Sequence, residues 1–136
     1  MNDNVDINHF KTLYKYITEN LNLEKKEFTL EFISIPKIKK LNKKYRGIDT
    51  KTDVISLEYH NPVFLGEIYI SPDVVLENSK IYKCEFGEEM DRTFIHGILH
   101  LVGYNHKGSL NKKDLDPNEE MFIIQEKILA EFRKSK

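Results

Sequence analysis

Three stretches of the chain place apolar residues at the spacing of an amphipathic helix. Apolar positions three and four residues apart fall on one face of a helix, and polar residues occupy the other face. This pattern predicts helices over residues 10–21, 36–46 and 117–132. Their apolar stripes are Phe10, Leu13, Tyr14, Ile17 and Leu21; Ile38, Leu41 and Tyr45; and Met121, Ile124, Ile128 and Phe132.

Other segments alternate between two sides and are rich in β-branched and aromatic residues. Residues 28–35 show this period of two, which predicts a strand. Residues 54–59 and 65–71 predict two more strands, close enough in sequence to pair as a hairpin. The segment from Asn4 to Asn8 is a candidate for a further short strand.

Two more helices complete the predicted elements. Ser71-Pro72-Asp73 has the form of a helix start, with Val74, Val75, Ile81 and Tyr82 on the buried side. Residues 94–102 are mostly apolar and predict a helix that is buried on most sides. Three or four strands and about five helices in irregular order indicate the α+β class.

Composition narrows the class of protein. The chain has 136 residues, the size of a single domain, which we expect to span residues 1–136. No apolar run approaches the ~20 residues that a membrane span needs, so no membrane partner is expected. The N-terminal residues lack a secretory pattern, and the single cysteine, Cys84, cannot form an internal disulfide. These features predict a cytoplasmic location.

The candidate chemistry lies in the pattern H-x-x-x-H-x-x-G-x-x-H at residues 96–106. His96 and His100 are four residues apart, so a helix would bring their imidazoles onto one side. Gly103 can take the left-handed conformation that ends a helix, and the turn would let His106 join them. Three neutral imidazoles with a fourth position open to water form the ligand set of a catalytic zinc ion.

The alternative is that these histidines are ordinary residues of a buried helix.

Metzincin proteases share the spacing but carry a glutamate general base in the second position, where this chain has Gly97. Ordinary zinc-protease chemistry would therefore lack its base. The glycine is expected to leave open space beside the metal.

A basic stretch precedes the predicted hairpin. Residues 35–46 contain six basic residues and no acidic one. One interpretation is a solvated helix face, and the other is a patch that contacts phosphate groups. The second interpretation makes Lys39, Lys40, Lys43 and Lys44 candidate phosphate-contacting residues.

Four ordered blocks of residues resemble the YbeY family of bacterial ribosomal RNA maturation factors. The strongest is the histidine block itself, residues 96–106, and the resemblance covers nearly the whole chain. The other three are Leu41-Asn42-x-x-Tyr45-Arg46-Gly47-x-Asp49 followed by Thr52-Asp53-Val54-Ile55-Ser56, then Gly66-Glu67-Ile68-x-Ile70-Ser71, and Glu119-Glu120-Met121.

The resemblance implies a mixed β-sheet of about four strands packed with about five helices. It also implies one zinc ion held by His96, His100 and His106, and a functional arginine at Arg46. Members of the family are described as single-strand endoribonucleases acting in small-subunit rRNA 3′-end processing and ribosome quality control. RNA and the small ribosomal subunit are therefore the expected partners, and Lys39, Lys40, Lys43 and Lys44 are the candidate RNA-binding residues.

Two positions depart from the family pattern. Asn105 stands where the family usually has aspartate, which removes a negative charge beside the third histidine. Leu57 replaces a usual phenylalanine, a change that affects packing.

Metal-assisted hydrolysis of an RNA phosphodiester is the main functional hypothesis. Arg46 could fork onto two phosphate oxygens, or it could be a helix-end cation favourable to the helix dipole. The attacking group, either metal-activated water or a ribose 2′-hydroxyl, stays open, as do the general base and the oligomeric state. The alternatives are a zinc metallopeptidase-like hydrolase and a non-catalytic ribosome assembly factor. The latter would need a fourth zinc ligand, for which Cys84 is the one thiol.

Overall fold

In the described part of the chain, a mixed three-stranded sheet separates one helix from the other four. The computed structural model describes residues 6–103 and 117–135. In chain order its elements are α1 (Ile7–Asn20), β1 (Glu27–Phe32), α2 (Ile35–Arg46), β2 (Val54–Glu58), β3 (Phe64–Ile70), α3 (Pro72–Tyr82), α4 (Phe86–Leu101) and α5 (Pro117–Lys134).

Strand β3 is the centre of the sheet. It pairs in parallel with β1 and antiparallel with β2, so the strand order is β1-β3-β2. The predicted hairpin is therefore confirmed, with Val54 opposite Ile70 and Glu58 opposite Gly66. The α+β class and the mixed sheet are also confirmed, with three strands among the described residues instead of about four.

The strand predicted from Asn4 to Asn8 is wrong where the structure describes it. Ile7 and Asn8 form the first turn of α1, because the Asp6 carboxylate accepts a hydrogen bond from the Asn8 backbone N–H at 3.0 Å and caps the helix. Strand β1 likewise ends at Phe32, earlier than predicted. Ser34 caps α2 by accepting from the backbone N–H of Lys37.

Helix α4 is the centre of the main core. Phe94, Ile95, Ile98 and Leu99 have no exposed surface, as the run of apolar residues predicted. They pack in one cluster with residues of α1, α3, α5 and one face of the sheet. The predicted buried side of α3 is only half right: Val74 and Val75 are buried, whereas Ile81 and Tyr82 in its last turn are exposed.

Helix α2 covers the opposite face of the sheet. Its Ile38 packs against Ile33 and Ile55 in a second, smaller apolar cluster. The helix ends at Gly47, which has φ +74°, the left-handed conformation that glycine adopts readily. This arrangement leaves the lysines of α2 exposed and carries Arg46 to the edge of β2.

Within the described ranges, no helix combines the length and the apolar character needed to cross a bilayer.

Gly66 is the residue of the sheet at which a side chain has no room. A Cβ atom there would lie 2.1 Å from the backbone oxygen of Leu57, and the residue has φ +151°. We expect Gly66→Ala to lower the free energy of unfolding by about 2–4 kcal/mol, since backbone strain and overpacking each cost about 1–3 kcal/mol. Urea denaturation with a two-state fit measures the change.

Gly87→Ala is the matched control. Gly87 lies in the first turn of α4, and a Cβ there meets nothing within 4 Å. Alanine at this position should stabilise the protein by about 0.5–1 kcal/mol. If both variants unfold at the same urea concentration as the parent, the steric account of Gly66 is wrong.

Candidate active site

His96 and His100 meet on one side of α4. Their Nε2 atoms are 3.1 Å apart and their ring centroids 4.6 Å apart. Two nitrogen ligands on one tetrahedral zinc ion, each at 2.0–2.1 Å, stand about 3.3 Å apart. The spacing and the chemistry of the two imidazoles therefore fit a shared metal ion.

The third predicted ligand, His106, lies outside the described residues. Gly103 has φ +110° and follows the end of α4, so the chain turns there. Within residues 6–103 and 117–135, no group of three or more His, Cys, Asp or Glu side chains is arranged to hold a metal ion. The complete zinc ligand set stays a prediction.

The two histidines line a cavity of about 580 Å³ between α4 and the edge of the sheet. Arg46, at the end of α2, lines the same cavity, although it comes from the other face of the sheet. Its Nη2 donates a hydrogen bond to the backbone oxygen of Val54 at 3.2 Å. The fold thus brings together Arg46, His96 and His100, three of the predicted site residues.

Strand β2 and the two residues before it supply the remaining polar lining among the described residues. Ser56 and Glu58 follow Val54 at every second residue, so all three point to the same side of the strand. Asp53 and Thr52 lie just before the strand and also line the cavity. Sequence reasoning did not select Glu58, but the period of two along residues 54–58 was the pattern that could have found it.

Gly97 does not leave open space beside the histidines, and that expectation is wrong. A Cβ at this position would lie 3.2 Å from Ser56 Oγ and 3.4 Å from side-chain carbons of Val54 and Ile68. Ser56 Oγ also donates to the Gly97 backbone oxygen at 3.1 Å. The glycine therefore allows α4 to approach the sheet closely.

Cys84 lies away from the cavity. It precedes α4, so ten residues of helix, about 15 Å, separate the start of α4 from His96. Its sulfur contacts Glu89 Oε1 at 3.6 Å and Arg92 Nη1 at 3.8 Å. Burial raises the pKa of the Cys84 thiol, which disfavours the thiolate that zinc binds. These contacts pair the Cys84 sulfur with Glu89 and Arg92, away from the paired Nε2 atoms of His96 and His100.

The four candidate RNA-binding lysines of α2 are exposed and fall into two groups. Lys39 and Lys43 are spaced seven and three residues before Arg46, which puts all three on one face of the helix. Lys40 and Lys44 lie on the neighbouring face, and the Lys44 ammonium stands 5.1 Å from the Tyr45 ring centroid. Only the first group forms a continuous basic row that leads to the cavity.

Gln125 is a residue of the site that sequence reasoning missed. It is 5% exposed, and its Oε1 lies 2.8 Å from Nδ1 of His96. It occupies the buried side of α5, four residues after Met121 and three before Ile128. A polar residue on an apolar stripe was the available signal, because a buried amide needs a hydrogen-bond partner.

Comparison with known proteins agrees with the resemblance seen in the sequence. Residues 2–133 match the family model described as Endoribonuclease YbeY. A curated protein of that name from Thermotoga neapolitana is 37% identical over 131 residues, covering 92% of this chain and 87% of the relative. One from Thermosipho melanesiensis is 31% identical over 133 residues, covering 98% and 92%.

A solved structure has the same fold. The solution structure of a Thermotoga maritima protein superposes with a TM-score of 0.64 at 30% sequence identity. The match covers 98% of this chain and 89% of that one.

Proposed function

The chain belongs to the YbeY family of endoribonucleases, and from this membership we propose that it is a zinc-dependent endoribonuclease acting on single-stranded RNA. We propose further that it acts in small-subunit rRNA 3′-end processing and ribosome quality control, with the small ribosomal subunit as its partner. The observation that carries the enzymatic part is the cavity that unites Arg46 with His96 and His100.

The proposed metal site consists of His96, His100 and His106. The 3.1 Å separation of the two Nε2 atoms supports the first two ligands, and the sequence pattern supports the third. A zinc ion bound there would supply Lewis-acid chemistry, since it lowers the pKa of water and polarises a phosphoryl oxygen.

Arg46 has the position and the chemistry to hold the scissile phosphate. Its guanidinium lines the cavity, and its bond to the Val54 backbone oxygen engages only one of its five N–H donors. The others can fork onto two phosphate oxygens and neutralise charge that develops in the transition state.

We assign proton transfer to the carboxylates that line the cavity. Asp53 and Glu58 are the two acidic side chains among the described residues that line it. Either can take a proton from an attacking hydroxyl or return one to the leaving oxygen.

The basic row on α2 gives the proposal a test in RNA binding. Neutralising Lys39 and Lys43 together to glutamine should weaken binding of single-stranded RNA and flatten its salt dependence. Each lost phosphate contact lowers the log–log salt slope by about 0.7 for a single strand, so the pair should lower it by about 1.4. Titrations by fluorescence anisotropy at several salt concentrations measure the slope.

Two further double variants serve as comparisons for the change in salt slope. Lys40 and Lys44 have the same spacing on the neighbouring face of α2, and their loss should change the slope less. Lys11 and Lys15, exposed on α1, are the matched control and should leave it unchanged. Equal slopes for all three variants and the parent would remove α2 from the RNA-binding surface.

The experiment that tests the enzymatic proposal is a cleavage assay with purified protein. Zinc-reconstituted protein should cut a single-stranded RNA carrying a small-subunit rRNA 3′ end, whereas the same RNA in a duplex should stay intact. Chelator-stripped protein is the control and should be inactive until zinc is returned. Cleavage that does not respond to zinc removal would overturn zinc dependence.

A further inference from the structure

The side-chain amide of Gln125 has a defined orientation between His96 and Glu126. Its Oε1 lies 2.8 Å from His96 Nδ1, and its Nε2 lies 3.1 Å from Glu126 Oε2. An ionised carboxylate can only accept hydrogen bonds, so the amide atom facing Glu126 must be the NH₂ group. The amide oxygen therefore faces His96.

Arg92 keeps Glu126 ionised. Its Nε and Nη2 donate to the two carboxylate oxygens of Glu126 at 2.8 and 3.1 Å. Burial acts to raise the pKa of Glu126, but the hydrogen bonds from Arg92 and Gln125 outweigh burial, and the net pKa is lowered. Hydrogen bonding to Glu126 in turn raises the pKa of Arg92. The carboxylate that orients the amide is thus charged at neutral pH.

This orientation determines where neutral His96 carries its proton. The amide oxygen accepts only, so His96 Nδ1 must be the donor in the 2.8 Å contact. A neutral imidazole has one ring proton, and the proton on Nδ1 leaves a lone pair on Nε2. That lone pair faces His100 Nε2, 3.1 Å away.

We propose that Gln125 is a positioning residue that selects the Nδ1-protonated tautomer of His96 and aims its Nε2 lone pair into the cavity. Arg92 and Glu126 hold the amide in the orientation this requires. The part of the inference that concerns zinc rests on the proposed function. The part that concerns the tautomer rests on the hydrogen bonds alone.

A metal ion needs this tautomer, because only an unprotonated nitrogen can be a ligand. In water, neutral histidine favours the proton on Nε2, the atom that must be free here. An outer hydrogen-bond acceptor corrects this preference, fixes the ring and makes the ligand nitrogen more basic. Loss of such a partner typically costs 10–100-fold in metal affinity.

Two variants at position 125 distinguish the effect of losing the hydrogen-bond acceptor from the effect of changed packing. Gln125→Met keeps the length of the side chain and removes the amide oxygen. Gln125→Glu restores an acceptor for His96 Nδ1 in the same place. We expect zinc affinity, measured by competition with a chromophoric chelator, to fall about 10–100-fold for the methionine variant and to recover for the glutamate variant.

The tautomer of His96 can be measured directly in the metal-free protein by NMR. Nitrogen-15 shifts of the His96 ring at a pH about two units above the ordinary imidazole pKa of about 6.5 report which nitrogen is protonated. The parent and Gln125→Glu should show the proton on Nδ1, and Gln125→Met should shift it to Nε2.

An Nε2 proton in the parent protein, or a methionine variant with the parent's tautomer and zinc affinity, would overturn the inference. The parent spectrum is decisive even if the methionine variant fails to fold. Failure of the parent to bind zinc would instead contradict the proposed function, and the tautomer result would still stand or fall by itself.

Discussion

Alanine in place of His100 is expected to abolish tight zinc binding and RNA cleavage together. The Nε2 atoms of His100 and His96 are 3.1 Å apart, the spacing at which both can bind one ion. Loss of an outer partner alone costs up to about 100-fold in metal affinity, so loss of a direct ligand should cost more. His96→Ala should behave in the same way, and the sequence pattern predicts the same for His106→Ala.

The measurement is zinc content after dialysis against a weak chelator, followed by cleavage of single-stranded RNA. His60→Ala is the matched control, because His60 is an exposed histidine that does not line the cavity. It should keep one equivalent of zinc and the parent's cleavage rate. Full zinc affinity in His100→Ala would show that the metal site lies elsewhere, and zinc-free protein that still cleaves would separate the metal from catalysis.

Periodicity along the chain predicted the elements that the core stabilises. The stripes of α1, α2 and α5 and the alternation of residues 28–35, which contain most of β1, were each long enough to distinguish a period of 3.6 from a period of two. The strand predicted from Asn4 to Asn8 failed over its described part, residues 6–8, where the Asp6 cap decided the local structure. Capping depends on one side-chain hydrogen bond, which hydrophobic patterning does not report.

The sequence predicted those parts of the site in which the contacting residues are close together along the chain. His96 and His100 are four residues apart, so helix geometry alone places them together. Arg46 was selected through the family resemblance, because nothing in α2 indicates that its end meets a cavity formed with α4. Gln125 was missed for the same reason: its contact with His96 spans 29 residues and depends on how α5 packs on α4.

Gly97 was rightly singled out in the sequence, but the role expected for it was wrong. Sequence comparison with metzincin proteases pointed to a missing general base and hence to open space. In the structure the backbone of α4 lies against Ser56 at this point, so the position serves packing. Among the described residues, the carboxylates that line the cavity are those of Asp53, just before β2, and Glu58, at the end of β2.

Arg46→Lys is expected to reduce the rate of RNA cleavage by about 10²-fold or more while zinc binding and folding persist. Lysine keeps the positive charge but is a single point of charge without the planar fork that matches two phosphate oxygens. A loss of this size is typical when one donor to the transition state is removed. Zinc content should stay at the parent's level, because arginine is not a metal ligand.

The structure limits the cost of this change to stability. Arg46 is exposed, and its described hydrogen bond is the one from Nη2 to the Val54 backbone oxygen. Such a bond contributes about 0.5–1.5 kcal/mol, so the melting temperature should fall by only a few degrees. The helix-end cation is retained, and with it the favourable interaction with the dipole of α2.

Single-turnover kinetics with saturating enzyme separate the chemical step from RNA binding. Arg46→Gln is the companion variant, because it removes the charge as well as the fork. If lysine and glutamine lower the single-turnover rate equally, the forked geometry is what the reaction needs, and if lysine restores most of the rate, charge alone suffices. Parent-like rates in both variants would leave Arg46 as a structural residue at the end of α2. Because Arg46 enters the cavity from the opposite face of the sheet to the histidines, a selective effect on rate would also show that both faces contribute to one active site.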